Sequence, residues 1–253
     1  MIRKIWTLVF LSTVLSILFP YENKFSSVSS SDGNKISLSH SPDLSDINGG
    51  YTRLAKLGDG HTTDPGMPEL PQYSTYYQLD PTKTYEFQFE VLDSYIIEDI
   101  TIFPHQGMEK WEIETVNIIN EEVYNSYEPF PEENMVVSER SQGRGIEFVS
   151  VHVIPYTYYP KYHRLEVYSS IDIHVIETGE NSDYELNQPK RSHIFDEFYK
   201  DLIVNFTYSD RPEDYQASAI LYIGGGNSLV NLYVQSLIEW RHKQGYIVYT
   251  ATE

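Results

Sequence analysis

Cysteine is absent from this sequence of 253 residues. That excludes disulfides, thiolate metal sites, a lipid-modified cysteine and a cysteine nucleophile anywhere in the chain. Basic residues are scarce as well: 18 Lys and Arg stand against 37 Asp and Glu, a formal charge of −19. Such a balance cannot neutralise a phosphate backbone, so no nucleic-acid partner is expected. An anionic membrane surface is disfavoured on the same ground, and stable membrane anchoring is not expected. The chain is nevertheless no disordered acidic tail, because hydrophobic residues make up 40% and charged residues only 22%. Its length allows one large or two modest domains. Tyrosine occurs 22 times and aromatics reach 14%, which favours strands over helices.

One apolar run stands out. Arg3 and Lys4 precede Ile5 to Phe19, and Pro20 ends the run. A short positive region followed by about fifteen mostly apolar residues has the dimensions of a secretory signal peptide, whereas a spanning helix needs roughly twenty. Residues 1–22 are therefore expected to direct export, giving a secreted, extracellular or cell-surface product; an uncleaved anchor is the other reading, since no clear small-x-small cleavage site follows. Residues 23–50 are rich in Ser, Asp and Asn with sparse apolar positions, which reads as a flexible leader. Leu44 to Gly49 has the outline of a calcium loop, but Leu44 offers no ligand oxygen and no Glu follows at the twelfth position.

Residues 51–180 change to period two. Tyr85-Glu-Phe-Gln-Phe-Glu-Val-Leu92, Ile146 to Ile154, Leu165-Glu-Val-Tyr168 and Ile171-Asp-Ile-His-Val-Ile176 alternate apolar and polar positions between Pro, Gly, Asn and Asp. This predicts a mainly β fold, an antiparallel β-sandwich. Phe148 falls out of phase with Val149, Val151 and Val153, which predicts a bulge or a two-sided strand. Residues 181–216 read as a connection, with Ile194 to Tyr199 as a single helical turn or docking segment.

From residue 217 the pattern switches again. Ala219 to Ile223 is a continuous apolar strand, Leu229 to Gln244 carries a helical stripe, and Tyr246 to Thr250 is a second strand. Asn227 or Ser228 is expected to cap the helix and Gly245 to provide a left-handed exit. This β–α–β is the opening of a parallel sheet that one such unit cannot bury, so 217–253 is expected to be the start of a truncated α/β domain.

Few motifs carry chemistry. Gly224-Gly-Gly precedes a helix, but Leu229 stands where a dinucleotide fingerprint needs its third glycine. His152, His163 and His174 are scattered along strands without metal-ligand spacing, and no metal or cofactor is expected in this chain. Asn205-Phe-Thr207 is a glycosylation triplet. Ser138-Glu-Arg-Ser-Gln-Gly-Arg-Gly145 joins two strands and sets Arg140 and Arg144 beside glycines. It reads either as an ordinary hairpin with solvated charges or as a bait loop presenting arginine to a protease pocket. Lys190-Arg191, in the irregular connection, suits a processing segment; Arg211 precedes Pro212, a poor cleavage point.

Three segments resemble the propeptide and early catalytic region of gingipain-type cysteine peptidases. They are Lys56-Leu-Gly-Asp-Gly60 with Asp64-Pro-Gly-Met-Pro-Glu-Leu-Pro71, Val153 to Pro160 with the two strands after it, and the β–α–β from Ile220 to Tyr249. The resemblance implies a secreted zymogen whose β-sandwich propeptide assists folding and blocks its own catalytic domain. It also implies that a caspase-like domain follows, acting on protein substrates and carrying the His and Cys dyad, with any calcium there rather than here. A second reading of the same residues is a non-catalytic secreted β-sandwich module for binding or adhesion, with tyrosines stacking on sugars.

Overall fold

The computed structural model describes residues 25–30, 33–47, 49–54, 60–107, 118–184 and 189–252. The signal segment 1–22, Lys56 to Asp59 of the first resemblance motif, and Gln188 lie outside the described residues. The architecture is mainly β with antiparallel sheets. The strands are β1 (Phe25–Ser30), β2 (Gly33–Ser39), β3 (Leu44–Ile47), β4 (Tyr51–Leu54), β5 (Gly60–His61), β6 (Pro71–Leu79), β7 (Lys83–Ile97), β8 (Met135–Val137), β9 (Ser141–Gly143), β10 (Ile146–Val153), β11 (Tyr156–Tyr159), β12 (Arg164–Glu180), β13 (Ala219–Gly224) and β14 (Ile247–Thr252). Among the described residues helices are few: α1 (Glu121–Tyr124), α2 (His193–Leu202) and α3 (Leu232–Lys243). Among the described residues, no helix is long and apolar enough to cross a membrane. The chain divides into two compact units: residues 1–75, 85–137 and 151–177, and residues 76–84, 138–150 and 178–253.

In the first unit β12 is the organising strand. Arg164 to Val167 pair with β11 and Ser170 to Val175 with β2, so β12 stands between them in one sheet. The pairs Glu90–His174 and Ser94–Glu166 place β7 antiparallel to it. The alternation does what period two requires: Leu165, Val167, Ile171, Ile173 and Val175 are buried on one face. Tyr85, Phe87 and Phe89 of β7 are half-buried between exposed Glu86, Gln88 and Glu90. In β10 Ile146 is buried, and so are Val149, Val151 and Val153, so the phase shifts once near Phe148.

The stretch expected to be a flexible leader carries three strands. Ile36 and Leu38 of β2 are fully buried and lie opposite Ile173 and Ile171. Two apolar residues at i and i+2 build no face alone, but beside a hydrophobic partner strand each burial contributes about 1.5–3 kcal/mol. That partner is more than 130 residues away, so local composition could not reveal it. Asp172, on the opposite face of β12, is 4% exposed and accepts hydrogen bonds from Lys35 Nζ at 2.6 Å and Ser37 Oγ at 2.5 Å. Burial pushes its pKa up. The hydrogen bonds from Lys35 and Ser37 and the nearby charge outweigh that, and hold the carboxyl below its ordinary range.

Because the folded pKa is depressed, this pair stabilises the fold above the unfolded carboxyl pKa and stops doing so as pH falls through the folded one, below about pH 4. Lys35→Met should cost about 3 kcal/mol by stranding a buried carboxylate. Asp172→Asn should cost less than half as much, since the Lys35 side chain is 40% exposed and can turn to water. Urea titrations at pH 7 and pH 3.5 test this. Equal losses for the two variants, or no narrowing of their gap in acid, would refute the assignment.

In the second unit α2 is longer than one turn: it runs for ten residues, and Ile203 after it is buried. Asn205 is pinned to Gln78, accepting from its backbone N–H at 2.7 Å and donating to its carbonyl at 2.9 Å. A glycan on that amide nitrogen would compete with its bond to the Gln78 carbonyl. The β–α–β is present as β13, α3 and β14, with Ala219 to Gly224 parallel to Ile247 to Thr252. Its helix starts later than the stripe suggested. Ser228–Val230 forms a 3-10 turn, and Asn231, not Asn227 or Ser228, caps α3 by accepting from the Tyr233 N–H at 2.9 Å. Gly245 takes the left-handed exit at φ +91°. Leu221, Ile223, Leu232, Tyr233, Ile247 and Tyr249 are exposed. Amides of 219–252 should therefore exchange much faster than those of Ile171 to Val175 in hydrogen–deuterium exchange, since few apolar contacts hold them closed. Equal protection of the two would refute this.

Candidate functional site

The Arg140–Arg144 loop forms a tight hairpin. Gly143 pairs with Ile146, leaving Arg144 and Gly145 as a two-residue turn. Both sit at positive φ, +51° and +80°, the combination that a hairpin of the I′ type needs. Arginine there is strained relative to Asn or Gly, and it places its side chain at the tip. Arg144 is exposed, with its guanidinium 4.8 Å from the centre of the Phe195 ring.

Gly145 is required for a second reason. A Cβ on it would lie 2.4 Å from the Pro189 carbonyl oxygen and 2.8 Å from the Arg191 nitrogen. The tip is thus braced from behind by the 189–191 backbone. Phe148 of β10 further anchors the hairpin between Tyr76 and Tyr199, at 5.6 and 5.9 Å between ring centres.

Arg140 is placed differently. It pairs with Glu147 at 2.9 Å, also donates to the Lys83 carbonyl, and leaves its side chain only 30% exposed. The structure therefore separates two arginines that the sequence left equivalent: one is bound to its own unit, the other stands at the tip.

Lys190 is exposed, but Arg191 is 8% exposed. Its guanidinium donates to both carboxylate oxygens of Asp196, at 3.3 and 2.9 Å, and to the Thr207 carbonyl at 2.9 Å. Asp196 is 1% exposed and also accepts from the Tyr215 hydroxyl at 2.7 Å. Burial and then this hydrogen bond to Asp196 push the Tyr215 pKa up. The backbone joins in, since the Arg191 N–H donates to Asp214 and its carbonyl accepts from Gln216. His193 stacks on Tyr215 at 3.8 Å. A protease reading Arg191 would first have to take this cluster apart. The Arg191–Asp196 pair was missed in the sequence because only the fold shows that an Arg and an Asp five residues apart are buried together.

The three histidines singled out above have separate local partners. His152 Nδ1 meets Ser74 Oγ at 2.8 Å, His163 Nδ1 meets Thr101 Oγ1 at 2.9 Å, and His174 Nε2 meets Glu90 at 2.6 Å.

Among solved structures, the complex of the RgpB pro- and mature domains from Porphyromonas gingivalis is similar to this chain at 20% identity. The likeness has a TM-score of 0.56 and covers 73% of this chain and 98% of that one. A structure addressing the zymogenic latency of gingipain K from the same organism is 18% identical at a TM-score of 0.48, over 62% of this chain and 93% of that one. No curated protein matches the sequence. The family model Propeptide_C25 matches residues 47–211, more than half of the sequence, and the chain belongs to that family, the propeptide region of gingipain-type peptidase precursors.

Proposed function

We propose that this chain keeps a secreted cysteine endopeptidase latent, with the Arg144 hairpin occupying the specificity pocket of its own catalytic domain. The observation that carries this reading is the braced turn, which holds an exposed arginine at a rigid tip. An inhibitory loop must resemble substrate yet resist productive closure, and rigidity lowers the ordering cost of binding. Exposed Ile194 and Phe198 beside Phe195 offer an apolar shoulder next to the tip, suited to the same catalytic domain. RgpB pro- and mature domains form a complex, which supports a partner of that kind for this chain.

The β13–α3–β14 unit, with its exposed apolar faces, then opens the catalytic domain, whose further strands cover it. The His and Cys of the dyad lie on that domain and act by thiolate attack on the peptide carbonyl. The positive, apolar N-terminal segment supports export. Processing in the 189–191 segment would release the brace behind Gly145, and Lys190 is its exposed basic residue.

The test adds the purified chain to the mature peptidase. Potent inhibition that collapses in the Arg140→Ala, Arg144→Ala double variant is the expected result. No inhibition by the unaltered chain overturns latency, and undiminished inhibition by the double variant overturns the bait hairpin.

A further inference from the structure

His61, Glu69 and His105 lie 8 and 36 residues apart along the chain, yet one donor atom from each falls within 4.8 Å of the others. Their backbones are fixed by the fold. His61 in β5 pairs opposite Pro71, and the Thr62 N–H donates to the Leu70 carbonyl at 2.9 Å. The Glu69 N–H donates to the Phe103 carbonyl at 2.9 Å, and His105 exchanges bonds with Gly66 and Met67 at 2.7 and 2.8 Å. Three adjacent backbone segments therefore converge on one point.

The carboxylate is oriented from behind. Glu69 Oε1 faces Arg53 Nε at 3.2 Å, and Arg53 lies over the Phe103 ring at 4.1 Å. That leaves Oε2 toward His105, whose Nδ1 is 3.1 Å away. The His61 and His105 rings are 5.1 Å apart. Glu69 and His105 are buried, His61 is half-buried, and the buried Nε2 of His105 has no hydrogen-bond partner.

We propose that His61, Glu69 and His105 bind a divalent transition-metal ion of the zinc class. Two imidazole nitrogens and one carboxylate oxygen form a three-ligand set that zinc accepts, with water completing the tetrahedron. Calcium and magnesium are disfavoured because they require mainly oxygen ligands. Zinc bonds of 2.0–2.2 Å put neighbouring ligand atoms about 3.4 Å apart, so the Glu69–His105 spacing already fits. The widest separation closes by about 1.4 Å, within reach of a rotamer change at half-buried His61. The outward oxygen of Glu69 keeps Arg53 as the partner that orients the ligating carboxylate. In a chain without cysteine, such an ion ties together β5, the segment before β6 and the segment after Phe103.

Cobalt(II), as a spectroscopic stand-in, tests this on the full chain. The expected result is one cobalt per chain with the strong visible absorption of a tetrahedral site, displaced by one equivalent of zinc. His61→Gln and His105→Gln should each weaken uptake at least tenfold, while His174→Gln leaves it unchanged. Zinc should also raise the thermal midpoint of the unaltered chain in a concentration-dependent way. His61 is half-buried, so its variant should keep the native circular dichroism even if the His105 variant does not. Absence of stoichiometric cobalt uptake by the unaltered chain overturns the proposal. So does uptake that survives in a folded His61→Gln variant or is lost in His174→Gln.

Discussion

An Arg144→Ala chain should inhibit the mature peptidase about a hundredfold more weakly than the unaltered one, while Arg140→Ala should change inhibition by less than about threefold. The difference follows from where each guanidinium is already engaged. Arg140 would have to leave Glu147 and the Lys83 carbonyl before entering any pocket. Arg144 leaves only the face of Phe195, a contact worth about 0.5–1 kcal/mol at an exposed site. An arginine filling a desolvated pocket at the centre of an interface contributes about 2–4 kcal/mol on truncation, hence the hundredfold figure. Inhibition constants from progress curves with each single variant decide the matter. Loss of inhibition in the Arg140 variant alone would transfer the bait role to that residue. Equal, small effects of both would mean that the apolar shoulder does the inhibiting.

The largest loss of stability is expected at Asp196. Asp196→Ala removes the counter-charge of an arginine that is 8% exposed, together with the acceptor for Tyr215, and should cost about 3–5 kcal/mol. Arg191→Met should cost nearly as much, because it strands the Asp196 carboxylate, which is 1% exposed and keeps only the Tyr215 hydroxyl. The two units need not unfold together, so a single global midpoint is a poor readout. Limited proteolysis is more local. With Arg191 buried, a trypsin-like protease should cut at Lys190–Arg191 slowly; in Asp196→Ala the segment opens and cleavage should rise about a hundredfold or more. Unchanged cleavage in that variant would show that the ion pair does not guard the segment. Faster cleavage with undiminished inhibition would separate processing of the segment from the brace behind Gly145.

These two effects rest on unlike amounts of sequence information. The loop holding Arg140 and Arg144 was visible because glycines and flanking alternation mark a hairpin, and β9 and β10 pair around it. Which arginine is free was not visible. That depends on Glu147, Lys83 and Phe195, placed by the pairing and by α2. Lys190-Arg191 looked accessible because its neighbours are polar and irregular. Arg191 is buried because Asp196, Thr207 and Tyr215 close around it. Polar residues signal exposure only while nothing supplies them with partners, and composition does not record partners.

What the sequence by itself determined is whatever repeats at short range. Period two in β10 and β12 predicts strands with one buried face. The apolar strand, helical stripe and strand after residue 217 predict a β–α–β. The missing cysteine and the charge of −19 exclude thiol chemistry in this chain and any broad nucleic-acid surface. Only the tertiary structure decided the long-range matters. It made strands of a Ser- and Asp-rich segment by laying Ile36 beside Ile173, and it set Lys35 against Asp172 across 137 positions. It also gathered His61, Glu69 and His105 onto three neighbouring backbone segments. The physical reason is common to all three. Side-chain period is a property of consecutive residues, whereas burial and pairing of a polar group depend on which distant strand closes a loop beside it.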